Sequence, residues 1–355
     1  MKVCIIGDGL ASLTLANVLI KKDIYVDICN TKKNFFYDQN RTLSISKSNI
    51  HYFKKEIINI NKILWKIKNI KIYTEKDYKK EILKFNNKND QIFSIIRNHQ
   101  LQKLLFKNLK KNKFIKFKNN FDVDKNKYKL IICSDPTHPI IKKFFSKKIE
   151  KNYNSYAYTT TIIHKKINNF TAFQNFTSNG PIAFLPISNT ETSIVYSLKS
   201  IKKKSNFEMN DLVQKYNPTY SIKKINTWFS FKLKFSSLRN YYKGNILAFG
   251  DLLHRIHPLA GQGFNMCLRD IKLLSNLIDE KIQLGLELDS SICQDFEKKS
   301  QSKNFIFLSG IDLIYELFNL ENKTNLSLLN KSINLFGNNK VVNKILKNLA
   351  DSGIR

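Results

Sequence analysis

Lys2–Ile6 form a short apolar run that stops at Gly7-Asp8-Gly9 and passes straight into Leu10–Lys21, where Leu10, Leu13, Leu15, Ala16, Leu19 and Ile20 recur at helical spacing. Ile24–Cys29 is a second apolar run, so the chain opens as strand, helix, strand. A strand handing over to a helix through glycines leaves backbone N–H groups unpaired at the helix start, where a phosphate binds well. In that dinucleotide fingerprint Gly7 makes the tight turn, Gly9 lets a pyrophosphate approach, Leu10 starts the helix and the small Ser12 allows close helix–strand packing. Asn30 stands where a ribose-binding acid is expected at the end of the second strand, and strand alternation points Asp27 to the other face.

A second such handover lies far along the chain. Ile246–Phe249 is an apolar run ending in Gly250-Asp251, and the chain then turns at Pro258 and opens a helix through Gly261-Gln262-Gly263. This presents one carboxylate and several free N–H groups to a ligand.

Between the two, Ile70–Tyr73 and Ile82–Phe85 read as a hairpin across a Lys-rich turn. Leu101, Leu104, Leu105 and Leu109 mark one face of a helix starting near Asn98, and Leu130–Cys133 reads as a short parallel-type strand. Tyr156–Ile163, Ile182–Leu185 and Ser193–Leu198 are β-rich segments with a helix near Met209–Tyr216, the pattern of an antiparallel sheet inserted into the first domain. Gln262–Leu349 reads as mostly helical.

The formal charge of +32 over 355 residues would by itself suggest a nucleic acid or an anionic membrane as partner. The lysines are scattered, however, and accompany abundant Asn and Ile, all encoded by A/T-rich codons. Codon bias is therefore favoured over a nucleic-acid face; attraction to anionic lipid follows physically in either case. The five cysteines show no CxxC spacing, and His51, His99, His138 and His164 lack metal-ligand spacing, so free thiols in a reducing compartment and no metal are expected. No apolar run reaches membrane-spanning length and no signal peptide is recognised, so a cytoplasmic protein is expected, with a peripheral position at the inner membrane as the extension. The C-terminal apolar band (Phe305, Phe307, Leu308, Ile311, Leu313, Ile314, Leu317, Phe318) reads as core in preference to a docking surface.

Gly250-Asp251-x-x-His254, His257-Pro258-Leu259-Ala260-Gly261-Gln262-Gly263-x-Asn265 and Arg269-Asp270 resemble the signature of class A FAD-dependent monooxygenases, and more narrowly that of the UbiH/UbiF-type ubiquinone-biosynthesis hydroxylases. The likeness continues in Arg41-Thr42-Leu43-Ser44, in Asn98 with Leu101 and Leu105, in Ala157 and Phe176-x-x-x-Gly180-Pro181-x-Ala183-x-Leu185-Pro186, and in Leu317-Phe318.

The resemblance implies an α/β, PHBH-like fold: a Rossmann-like FAD-binding domain (1–150 and 237–290), an inserted mixed or antiparallel β-sheet substrate domain (70–96 and 151–236), and a C-terminal helical segment (291–355). It implies FAD held by Gly7, Gly9, Leu10, Ser12, Asn30, Arg41, Asn98, Asp135, Gly250, Asp251, Pro258, Gly261, Gln262, Gly263 and Asn265. Pro258 and His257 are the flavin-adjacent candidates for catalysis, and His254 and His257 are read as structural hydrogen-bonders in preference to proton shuttles. NAD(P)H would be the co-substrate, and O2, through a flavin hydroperoxide, would hydroxylate a polyprenyl phenol on the way to ubiquinone. The implied partners are that prenylated phenol or quinone and an anionic membrane or ubiquinone-biosynthesis complex, with no nucleic acid.

Ser134-Asp135-Pro136 departs from the family's Asp-Gly pair, because Pro136 removes an N–H and fixes φ; Leu252-Leu253 replace two small residues and are expected to narrow the pocket. These departures motivate a second reading, an FAD-binding but catalytically impaired scaffold subunit.

Overall fold

In the computed structural model the described residues are 1–29, 40–75, 83–86, 90–118, 127–199, 203–217, 219–258 and 261–324. Asn30, the Leu259-Ala260 pair and the stretch expected to be helical beyond 324 lie outside them, as do the side chains of Leu317 and Phe318.

The first sheet contains β1 (Lys2–Ile6), β2 (Tyr25–Cys29), β8 (Ile115–Lys118), β9 (Leu130–Cys133), β16 (Tyr242–Lys243) and β17 (Ile246–Ala248), in the order β16-β17-β9-β1-β2-β8. All its neighbours are parallel except the β16–β17 pair. Parallel strands covered on both faces read as unbroken apolar runs, and β1, β9 and β17 are buried almost throughout. Helices α1 (Leu10–Ile20), α3 (Asn98–Lys110) and α6 (Gln262–Gln283) contribute to that core. Residues 12–20 of α1 are buried without exception, so its small Ser12 and Ala16 fit a helix enclosed on all sides.

Asp27 is itself buried at 2 % exposure and is matched by Lys118 Nζ at 2.6 Å, the Tyr128 hydroxyl at 2.6 Å and Lys2 Nζ at 3.0 Å. Burial alone would raise its pKa, but hydrogen bonds from Lys118, Tyr128 and Lys2 outweigh it and hold the carboxyl below its usual range. The face it was expected to occupy is thus an enclosed one stapling β1, β2 and β8 together.

The second sheet runs β18-β15-β10-β13-β12-β11-β5-β6 with β14 also on β10. Its members are β5 (Asn69–Thr74), β6 (Leu83–Asn86), β10 (Lys148–His164), β11 (Thr171–Thr177), β12 (Gly180–Pro186), β13 (Glu191–Lys199), β14 (Ile222–Ile225), β15 (Phe229–Leu238) and β18 (His254–Arg255). It is antiparallel except where β5 meets β11, and the expected hairpin is its β5–β6 pair. One face takes α5 (Asn206–Tyr216) through Met209 and Val213. The opposite face, with Tyr153, Ala157, Phe176, Leu233 and Phe235, packs on Met266 of α6 and on Leu308 and Tyr315 of α7 (Ser290–Thr324).

A small third sheet, β3 (Thr42–Ser46), β7 (Phe93–Arg97) and β4 (Trp65–Ile67), links the two large ones. Thr42 Oγ1 lies 2.9 Å from Ser193 Oγ, and Arg97 pairs with Glu191 at 2.6 Å. Helix α2 (Lys47–Tyr52) follows β3, and the short α4 (Pro139–Phe144) follows β9.

The C-terminal band divides. Leu308 is buried and Phe307 and Ile311 pack beside it, whereas Phe305, Leu313 and Ile314 are exposed, because a long helix lying on one sheet face buries only one stripe.

Candidate functional site

Three loops leave the parallel sheet at the same end and meet. Gly7 N–H donates to Cys29 O at 2.9 Å, Ser134 N–H to Ile6 O at 2.9 Å and Phe249 N–H to Cys133 O at 2.8 Å, which aligns the ends of β1, β9 and β17. The hydroxyls of Ser12 and Ser134 lie 2.6 Å apart. At Gly7, φ is +112° and a methyl group would come within 2.6 Å of Ser134 Oγ, so no other residue fits. Gly250 lies against α1, since a methyl there would meet Ala11 Cβ at 2.8 Å. The glycine loop near the N-terminus and the Gly250-Asp251 turn, far apart in sequence, are therefore neighbours.

Gly9 is different. It is the N-cap of α1, no side chain caps that helix, and among the described residues a methyl on Gly9 would meet no heavy atom within 4 Å. The helix start faces open space, which is what an approaching pyrophosphate requires. Asp251, which follows the Gly250 that lies against Ala11 of α1, is exposed. Asp135 also borders the loops, but its Oδ1 accepts from the N–H and the hydroxyl of Thr137 at 2.8 and 2.7 Å, closing the Pro136 turn on itself.

The second glycine run is built around Asn265. Its amide nitrogen donates to Ser44 O at 3.0 Å and Gly261 O at 3.3 Å, and its oxygen accepts from Ser46 N–H at 3.0 Å and Asn49 Nδ2 at 2.9 Å. The side chain clamps α6 to β3 and α2, so it shapes the site and has no polar atom left over for a ligand. Gly261, the N-cap of α6, sits at φ +59° with Ser44 Oγ donating to its carbonyl at 2.9 Å. A methyl there would lie 2.2 Å from that hydroxyl. Gln262 is buried, while a methyl on Gly263 in the first turn would meet no heavy atom of the described residues within 4 Å. Pro258 is half-buried, and its carbonyl accepts from Gly261 N–H at 3.3 Å.

Arg41 and Asn98 come together, because the Asn98 N–H donates to Arg41 O at 2.9 Å where β3 and β7 end. The Arg41 side chain is exposed, and the Asn98 Oδ1 is buried with no partner. An orphaned buried acceptor costs about 1–3 kcal/mol and is a place for a ligand donor.

The two motif histidines have separate roles. His254 is 2.6 Å from Asp270, which also accepts from Asn304 at 3.0 Å; it is the structural hydrogen-bonder the sequence suggested. His257 is 1 % exposed, and neither of its ring nitrogens has a partner. It stacks on Tyr315 at 4.1 Å between centroids and meets Tyr153 edge-on at 5.4 Å. Burial pushes its pKa down to about 3, so the ring is neutral. Among the described residues, the structural hydrogen bond expected of His257 is not made. Leu253 is fully buried in the core of the parallel sheet and Leu252 packs against it, so this pair fills core instead of narrowing a pocket.

The residues thus suit a dinucleotide: two glycine-lined helix starts opening on empty space, one exposed carboxylate and one buried acceptor awaiting a donor. Sequence reasoning missed Ser44 and Tyr153 as parts of the site. Ser44 sits in the quoted Arg41–Ser44 stretch, whereas nothing local marks Tyr153, which reaches His257 only through the sheet.

No family model matches the chain. Over 275 residues it is 27% identical to the ubiquinone biosynthesis monooxygenase COQ6 (mitochondrial) of Dictyostelium discoideum, covering 62% of this chain and 54% of that protein. Over 154 residues it is 30% identical to the 3-demethoxyubiquinol 3-hydroxylase of Escherichia coli strain K12, covering 41% and 39%. The chain spans about half the length of the curated relatives it matches. Among solved structures, p-nitrophenol 4-monooxygenase PnpA from Pseudomonas putida DLL-E4 superposes with a TM-score of 0.81 at 11% identity, covering 99% of this chain and 98% of that one. Klebsiella pneumoniae HpxO, complexed with FAD and uric acid, superposes with a TM-score of 0.77 at 11% identity, covering 99% and 97%. The fold is accordingly the PHBH-like one of these monooxygenase structures, and in sequence the chain is similar to proteins named as ubiquinone-biosynthesis hydroxylases.

Proposed function

We propose that the chain is an FAD-dependent monooxygenase that hydroxylates the ring of a prenylated phenol on the way to ubiquinone, with NAD(P)H and O2 as co-substrates. The observation that carries this is the meeting of Gly7–Gly9, Ser134-Asp135 and Gly250-Asp251 at one end of the parallel sheet, in a chain whose curated relatives include a ubiquinone biosynthesis monooxygenase and a 3-demethoxyubiquinol 3-hydroxylase. FAD, when bound, supplies the electron and oxygen chemistry.

The chain's own residues do the rest. Gly9, Leu10 and Ser12 would offer backbone N–H groups to a pyrophosphate, Gly7 would provide the tight turn beneath it, Asp251 would offer a carboxylate to sugar hydroxyls, and Arg41 and Asn98 would stand on the flavin side. Gly261, Gln262 and Gly263 open α6, whose N-terminal partial positive charge favours an anion beside it. Asn265 holds that helix start in place. Tyr153, Phe176, Phe235, Met266 and Tyr315 give an apolar wall that excludes water.

Contact with an anionic membrane is part of the same reading. It is supported by the net charge of +32 and by Phe305, Ile306, Leu313 and Ile314, exposed on α7. Among the described residues no helix is long and apolar enough to cross a membrane.

The test is direct. Purified protein should be yellow with one FAD per chain, and a short-chain prenylphenol should stimulate NAD(P)H oxidation and gain one 18O atom from 18O2. Folded, colourless protein that takes up no FAD ends the proposal. Tight FAD with no reduction by either nicotinamide would instead favour the scaffold reading.

A further inference from the structure

We infer that the imidazole of His257 is the polar anchor for a ring hydroxyl of an aromatic ligand lying on the sheet face that carries Tyr153 and Phe176. The inference rests on the aromatic-hydroxylase reading and goes beyond it by naming the group that selects the ligand.

Every other buried histidine among the described residues is hydrogen-bonded: His138 to Ile140 N–H, His164 to Thr192 and Lys165 O, His254 to Asp270. His257 alone has both ring nitrogens unpartnered while 1 % exposed. Its neighbours do not serve it. The Tyr153 hydroxyl donates to Asp312 Oδ1 at 2.7 Å, and the Tyr315 hydroxyl faces Ser155 Oγ at 3.5 Å. Both rings are therefore held with their polar ends elsewhere and their carbon surfaces against the imidazole, stacked at 4.1 Å and edge-on at 5.4 Å. An imidazole oriented by two such rings has a defined place in which to meet a ligand.

The chemistry selects the ligand class. A neutral imidazole offers one N–H donor and one acceptor nitrogen, and a phenolic hydroxyl can satisfy either. The surroundings are apolar and aromatic: Tyr153 and Tyr315, the rings against His257, belong to one buried cluster with Ala157, Phe176, Leu233 and Phe235 from the sheet and Met266 and Leu308 from the helices. Thr74 is a second sign on the same face. It lies opposite Phe176 in the β5–β11 register, and its buried hydroxyl has no partner either. His257 adjoins the half-buried Pro258, four residues before the N-cap of α6, so a ring held there is next to the glycine-lined helix start.

The test compares 2-prenylphenol with its O-methyl ether by calorimetric titration of the FAD-loaded wild type, His257→Phe and His257→Gln. The wild type should bind the phenol about tenfold more tightly than the ether, the discrimination expected of one hydrogen bond to a buried group. His257→Phe should bind both as weakly as the ether, and His257→Gln, which keeps a donor and an acceptor, should recover most of the preference. The wild type is also read alone: the 15N imidazole signal of His257 should shift with the phenol and stay put with the ether.

A preference retained in His257→Phe, no preference in the wild type, or an unmoved imidazole signal overturns the inference. FAD content is measured separately. Protein that takes up no FAD defeats the parent reading, and the same phenol–ether titration, which needs no turnover, is then run on the flavin-free wild type and variants and decides on His257.

Discussion

The His254 Nε2 lies 2.6 Å from Asp270 Oδ2, and each side chain is 2 % exposed. Asn304 Nδ2 donates to the other carboxylate oxygen at 3.0 Å. One buried carboxylate thereby joins β18, α6 and α7, three elements from different parts of the chain, directly behind the segment that carries His257 and Pro258.

Asp270→Ala should therefore destabilise the fold by about 3 kcal/mol, because it strands a buried imidazole and a buried amide together. Urea denaturation measures this. A loss below about 1 kcal/mol would mean the network contributes little to holding α7 on the sheet.

Gly9 and Gly261 should respond in opposite ways to alanine. At Gly9 the backbone is extended with φ −69° and a methyl meets nothing, so Gly9→Ala should stay within about 1 kcal/mol of the parent while FAD loading falls at least about tenfold. Gly261→Ala places a side chain at φ +59° and against Ser44 Oγ, and should lose about 2–3 kcal/mol of stability. Flavin stoichiometry and denaturation midpoints on the two variants separate a ligand cradle from a strained cap. Undiminished FAD in Gly9→Ala would remove that loop from the site.

Asn265→Ala deletes two donors and two acceptors matched inside the protein and should cost about 3 kcal/mol. Asn265→Asp keeps the acceptors but turns a carboxylate towards Ser44 O and Gly261 O, so it should fare no better. A thermal melt of each variant is sufficient, and a near-parental melting temperature in either would refute the clamp.

His257 sets a pH signature. Its folded pKa is depressed to about 3 by burial, below the ordinary value near 6.5, so beneath about pH 6.5 the unfolded chain binds a proton that the folded chain refuses. Stability should be complete above that pH and fall as the medium acidifies, by about 1.6 kcal/mol between pH 6.5 and 5. In His257→Phe that part of the slope should vanish. Denaturation at a series of pH values shows it, and identical slopes in the two proteins would place the acid sensitivity elsewhere.

The opening β-α-β unit was legible because its signal is local. Apolar runs as short as Lys2–Ile6 and Leu130–Cys133 can only be strands buried on both faces, and a glycine pair between strand and helix has few uses. The strands β3, β4 and β11 were not anticipated, being short or mixed in pattern, and their pairing is set by the register of neighbours distant in sequence. Leu252-Leu253 read as a narrowed pocket and proved to be core, since the direction of a side chain in a turn depends on what packs over it.

From the amino acids alone came the two glycine-bearing turns and the helices they open, because backbone freedom and apolar periodicity are properties of a few neighbouring residues. Tertiary structure alone decided which polar groups are consumed internally and which are left over. Asn265 and His257 belong to the same motif and both read as ligand neighbours. Folding surrounds the first with four protein partners and leaves the second with two rings and none, because hydrogen-bond satisfaction in a core depends on residues brought from far along the chain.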